Sequence, residues 1–144
     1  MVTWSKILAM KNVLDRYGLI VVGLLVFGLD RWTKFYILNN GWEYVMNEGG
    51  VWGLHQGLDW RWVSLVVIAG LVVYVMRQKM SLKYQIGYGM VIGGGLGNLY
   101  DRLTLGAVID WIGLVDWFAW FNIADMAINV GLGLIIFWTF YGKR

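Results

Sequence analysis

The run "FNIADMAINVGLGLIIFWTF", Phe121–Phe140, carries a single charged side chain, Asp125, near its start. A bilayer core takes about 20 helical residues, so the run reads as a membrane span with a carboxylate close to one end. At the centre of such a helix an acid costs roughly 2.5–3.5 kcal/mol on insertion scales, and less toward the interface. An acid retained in such a run points to function, or to a helix end that reaches water.

Three further apolar runs accompany it. "YGLIVVGLLVFGL" begins at Tyr17 and continues at helical spacing through Asp30, Arg31 and Lys34 to about Leu38. "WVSLVVIAGLVVYVM", Trp62–Met76, is bracketed by Arg61 and Arg77, whose long side chains can reach the headgroups. "YQIGYGMVIGGGLGNLY", Tyr84–Tyr100, completes the set. The expected spans are 17–38, 61–77, 84–104 and 119–141, within one integral membrane domain over 1–144. Composition agrees: the chain is 59% hydrophobic and 15% charged, with a mean hydropathy of +0.60. A water-soluble chain of 144 residues cannot hide that much apolar surface. Lys6, Lys11 and Arg16 precede the first run, but no small-x-small cleavage pattern follows it, so an uncleaved span is expected.

Basic residues set the orientation. Eight of the 12 Lys and Arg lie before the first run, between the second and third, or at the end of the chain. With four spans these share one side, expected to be the cytoplasm, with both termini in it. Glu43, Glu48, Asp59 and Asp116 then fall on the other side, together with the helix ends carrying Asp30, Asp101, Asp110 and Asp125. The connection 39–60, rich in Gly, Asn and aromatics, predicts a small β-structured extracytoplasmic lobe. The Trp-rich stretch between the third and fourth spans predicts a short interfacial segment. The fold class is therefore all-α membrane protein with these two additions.

Several chemistries are excluded or disfavoured. With no cysteine, neither a disulfide nor a thiolate nucleophile is available, and His55 is the one histidine, so no His cluster exists for zinc. His55 reads as a surface residue, and Asp59 as an interfacial partner of Arg61. No cofactor, metal or nucleic acid is implied.

The polar residues inside the runs share helical faces. Asp30, Thr33 and Lys34 stand at i, i+3 and i+4; so do Asn98, Asp101 and Arg102, and again Asn122, Asp125 and Asn129. Gly89, Gly93 and Gly97 form a smooth stripe that lets a neighbouring helix approach the second group. A local Asp30–Lys34 ion pair would explain the first group without function, and helix-end position beside Arg102 suggests a structural role for Asp101. Asp110 lies just beyond the third run, where the chain could return it toward Asp125. Two acids held together share a proton, because both cannot readily ionise. One can then take a proton from water while the other polarises a carbonyl. Periodicity does not establish that the two meet. A proton- or ion-coupled carrier and a non-catalytic scaffold remain open at this point, although acids crowded at one interface and the lack of an internal repeat disfavour a carrier.

Four motifs go further. "LDRWTK" at 29–34, "NEGGVWGL" at 47–54, "GNLYDRLTLGAVIDW" at 97–111 and "FNIADMAINVG" at 121–131 resemble, in order, the blocks of lipoprotein signal peptidase (signal peptidase II). The resemblance covers essentially the whole chain. It implies an aspartic endopeptidase of the bacterial cytoplasmic (inner) membrane with its site at the extracytoplasmic face. Asp110 and Asp125 would be catalytic, with Asp30, Lys34, Asn47, Gly49, Asn98, Asp101, Arg102, Asn122 and Ala124 binding substrate or supporting the site. It implies a diacylglyceryl-modified prolipoprotein as substrate, cut before the lipid-modified cysteine. Membrane lipids and globomycin-type inhibitors would be further partners, and a monomer the expected state. The chain departs from the family pattern in having Arg31 where Gln is common and Trp52 where Phe is usual. It has no proline near Phe121, and a short stretch separates Asp110 from Phe121.

Overall fold

The computed structural model describes residues 4–49, 59–115 and 119–142, with side chains from Tyr17 onward. Four helices and two short strands follow in the order α1 (Trp4–Asn39), β1 (Val45–Asn47), α2 (Trp60–Met76), α3 (Leu82–Leu105), β2 (Val108–Asp110) and α4 (Ile123–Tyr141). Each of the four expected apolar runs is helical. α1 starts far earlier than the expected span, because the basic segment before Tyr17 continues the same helix. α4 starts later than the expected 119, because Asn122 caps it and Phe121 is drawn into an antiparallel bridge with Ile112. The expected pairing of Asp59 with Arg61 is present at 2.8 Å, and Asp59 caps the start of α2.

Glycine makes α3 the centre of the bundle. A Cβ on Gly93 would stand 2.5 Å from the Gly23 carbonyl oxygen of α1, and one on Gly94 would stand 2.5 Å from the Ala124 carbonyl oxygen of α4. Two faces of one helix are thus stripped of side chains so that two neighbours can close on it. The pairings Gly93 with Gly23 and Gly97 with Asp30 run parallel, whereas Gly87 with Ile135 and Gly94 with Ala124 run antiparallel. α2 meets α3 antiparallel, through Ile68 at Gly95 and Tyr74 at Tyr88. The end of α1, the end of α3 and the start of α4 therefore share one end of the bundle. At the other end Lys83 Nζ donates to the Gly142 carbonyl, a cation at the C-terminus of α4.

One strand falls in the connection 39–60, where the small β-structured lobe is expected. β1 pairs antiparallel with β2, which belongs to the α3–α4 connection, with Val45 opposite Asp110 and Asn47 opposite Val108. The residues 50–58 of the expected lobe, including His55 and Trp52, lie outside the described residues, as does Asp116. Gly106 ends α3 in the left-handed region at φ 80°, its N–H returning to the Arg102 carbonyl, which turns the chain into β2.

The molecule inverts the distribution of a water-soluble protein. Leu25 and Phe35 are each 67% exposed and Val66 is 69% exposed, while Asp30, Asp101 and Asn122 are fully buried. Among the described residues α4 is the helix both long and apolar enough to cross a membrane, and α2 is apolar but shorter at 17 residues.

Candidate functional site

The bundle end where α1, α3 and α4 meet collects every candidate from the sequence. Asp110 closes β2. The bridge takes the chain back from Ile112 to Phe121, so Asn122 and Asp125 arrive beside it. Asn122 joins the two acids: its Nδ2 donates to Asp110 Oδ1 at 2.6 Å and its backbone N–H donates to Asp125 Oδ2 at 3.2 Å. The Asn122 Oδ1 in turn accepts from the Asp125 N–H at 2.9 Å, a reciprocal capping box at the start of α4. Asp125 is thus the third residue of its helix, with its carboxylate at the end where backbone N–H groups point outward.

The remaining carboxylate oxygens are each held once. Asn47 of β1 donates from Nδ2 to Asp110 Oδ2 at 2.9 Å, and Asn98 of α3 donates from Nδ2 to Asp125 Oδ1 at 2.8 Å. A carboxylate oxygen can accept two bonds, so among the described residues each has one acceptor position beyond these for a proton or a water. The Asn47 Oδ1 accepts from the Gly49 N–H, and Arg102 Nη2 donates to the Gly49 carbonyl at 3.2 Å, tying the start of the first connection to α3.

Beneath this pair lies an ion cluster. Lys34 Nζ stands 3.0 Å from Asp30 Oδ2, 2.7 Å from Asp101 Oδ2 and 3.2 Å from Asn98 Oδ1, which uses all three of its N–H donors. The expected local Asp30–Lys34 pair is present at i, i+4, and Asp101 of α3 shares the same ammonium, so the pair also ties two helices together. Asp101 Oδ2 also accepts from the Ile109 N–H at 3.3 Å, and Asp30 Oδ1 accepts from the Ala124 N–H at 3.2 Å. Ala124 enters through its backbone. Its side chain is fully buried near Gly97, where an added Cβ would stand 2.6 Å from Asp30 Oδ2.

Thr33 and Asn129 share helical faces with these residues but bond backward, to the Asp30 and Asp125 carbonyls. Arg31, noted in the sequence only as a departure, joins the cluster. It contacts Asp30 Oδ2 at 3.0 Å and Asp101 Oδ1 at 2.7 Å, the latter an ionic contact off the hydrogen-bond direction. One residue past Asp30, it is off the i, i+3, i+4 face that the periodicity selects. No sequence pattern marks it.

Asp110, outside the spans, has its carboxyl pushed up to about 6. Burial is the main cause, and the nearby charge of Asp125 adds to it, while Asn47, Asn122 and Lys34 favour the anion. Two acids bridged by one amide, the first holding its proton to unusual pH, form a pair that can present one carboxylate and one carboxylic acid together.

Residues 22–141 match the signal peptidase (SPase) II family. The chain belongs to that family. It is 43% identical over 138 aligned positions to the lipoprotein signal peptidase of Syntrophomonas wolfei subsp. wolfei, covering 84% of this chain and 92% of that one. The Helicobacter pylori strain P12 lipoprotein signal peptidase is 34% identical, covering 94% of this chain and 96% of its own. A solved bacterial membrane enzyme superposes with a TM-score of 0.75 at 24% identity, covering 88% of this chain and 92% of that chain, which supports the fold. Family membership makes the chain a bacterial membrane protein of a peptidase family, consistent with its apolar exterior.

Proposed function

We propose that this chain is an aspartic endopeptidase that removes the signal peptide from diacylglyceryl-modified prolipoproteins. The observation that supports the reading best is the convergence of Asp110 and Asp125 on Asn122, which bonds one oxygen of each carboxyl group. In this mechanism the ionised member of the pair takes a proton from a bridging water as the water oxygen attacks the scissile carbonyl. The protonated member gives its proton to the carbonyl oxygen, and a gem-diol forms without a covalent intermediate. Collapse of the gem-diol breaks the C–N bond. One hydroxyl proton returns to the pair, and the pair delivers a proton to the leaving amine.

The four helices each cross the inner membrane in this reading, with both termini cytoplasmic and the site at the extracytoplasmic face. The substrate is tethered by its signal helix and its acyl chains, so the bond before the modified cysteine lies where the acids stand. The site draws on residues of one chain and needs no second copy. Asn47, Gly49 and Arg102 border its outer side and meet the lipid-bearing end of the substrate; Asp30, Lys34, Asn98, Asp101, Asn122 and Ala124 hold the pair from beneath.

The test is cleavage of a diacylglyceryl-modified precursor by the reconstituted protein. Asp110→Asn and Asp125→Asn should each lower kcat by at least about a thousandfold while unfolding at the parental temperature. Globomycin should block the parent. A folded Asn variant cleaving at the parental rate would refute the assignment.

A further inference from the structure

Two carboxylates beneath the catalytic pair each hold a backbone amide one residue before a proposed catalytic aspartate. Asp101 holds the Ile109 N–H, ahead of Asp110, and Asp30 holds the Ala124 N–H, ahead of Asp125. The distance between Asp30 and Asp101 therefore passes directly into the distance between the two catalytic segments. Left alone, two buried like charges would push apart. Two cations from α1 stand between them: Lys34, within 3.0 Å of both, and Arg31, whose Nη2 lies 3.0 Å from Asp30 and whose Nη1 lies 2.7 Å from Asp101. Arg31 is itself fixed, its guanidinium 4.7 Å above the Tyr100 ring, which meets Phe27 edge-on.

We propose that Arg31 is a positioning residue of the peptidase site: by bridging Asp30 to Asp101 it sets the spacing of the catalytic pair and cancels the second of two negative charges beneath it. The proposal rests on the aspartic-pair reading above. Among the described residues, the charged groups facing the pair are Asp30, Arg31 and Lys34 from α1 and Asp101 and Arg102 from α3; Glu43 and Glu48, flanking β1, are exposed. With Arg31 present the four-ion cluster is neutral. Without it one negative charge remains, and the pair keeps its shared proton to higher pH.

The experiment measures kcat and KM against pH for the full-length reconstituted enzyme carrying Arg31→Gln, Arg31→Lys or Arg31→Met, with Asp110→Asn alongside and thermal unfolding of each. Arg31→Gln should move the alkaline limb of kcat/KM upward by about 0.5–1 pH unit, with KM within about twofold of the parent. Arg31→Met should show the same movement and a roughly tenfold fall in kcat, because both contacts go. Arg31→Lys should keep the limb at its parental pH, because the charge remains. A parental kcat and parental limb in folded Arg31→Met would overturn the proposal, as would a limb that moves equally in Arg31→Lys. Should Arg31→Met fail to fold, Arg31→Gln and Arg31→Lys decide between the same outcomes. Loss of cleavage in Asp110→Asn beside parental Arg31 variants defeats this proposal alone; parental cleavage in Asp110→Asn defeats the aspartic-pair reading and this proposal with it.

Discussion

Asn122 bonds both carboxyl groups, yet the side chain that tunes the pair from outside is Asn47. Its Nδ2 donates to Asp110 Oδ2, so it favours the anion against the burial that raises this acid to about 6. The catalytic form in the proposed mechanism carries one proton, and activity falls on the alkaline side when that proton leaves. In the free enzyme the alkaline limb of kcat/KM is therefore expected at about pH 6. Asn47→Ala removes a donor to the anion, so Asp110 keeps its proton to higher pH. The limb should rise by about half a unit to one unit, read from kcat/KM across pH 5–9 on a modified precursor. A limb that fell would mean that Asn47 bonds the protonated form instead.

At the level of elements, the start of α4 combines a cap with a proposed catalytic group. Asn122 supplies the cap and Asp125 is the third residue of the same box, so the helix end fixes where the carboxylate points. Asn122→Ala should cost about 0.5–2 kcal/mol of stability and remove the donor to Asp110. Asn122→Ser restores a cap but has no amide to donate both to Asp110 and, at 3.2 Å, to the Asn98 Oδ1; thermal unfolding should recover while cleavage stays low. Close packing of α3 makes a second demand. Gly93→Ala would press a methyl group against the α1 backbone at Gly23, costing about 1–3 kcal/mol. Gly133→Ala, on α4 with open space around it, should be neutral or slightly stabilising, because alanine favours helix. Unfolding midpoints in one detergent compare the two. The stripe at Gly89, Gly93 and Gly97 was readable from its four-residue spacing. The second face at Gly87 and Gly94 was not, because a glycine-rich run satisfies several spacings at once.

For the whole molecule, the four helical segments were legible because apolar runs report on the solvent around them. The meeting of Asp110 with Asp125 was not, since it depends on the β1–β2 pairing and the Ile112–Phe121 bridge, which join residues distant in sequence through backbone bonds. The motif resemblance pointed to residues that the structure brings together, except for Arg31, whose place in the ion cluster follows from where α1 meets α3. Orientation in the membrane is a property of this largest scale and rests on charge placement. Arg77 and Lys79, between α2 and α3, and Lys83, in the first turn of α3, lie at the bundle end opposite the acids, whereas Glu43 precedes β1 at the end that carries the site. The chain has no cysteine, so one introduced thiol reports one position. Both Glu43 and Lys79 are exposed, which makes them suitable sites. In intact spheroplasts a membrane-impermeant maleimide should label Glu43→Cys and leave Lys79→Cys unlabelled until the membrane is opened. The reverse pattern would put the acids on the cytoplasmic side, where a lipoprotein precursor tethered at the outer leaflet could not reach them.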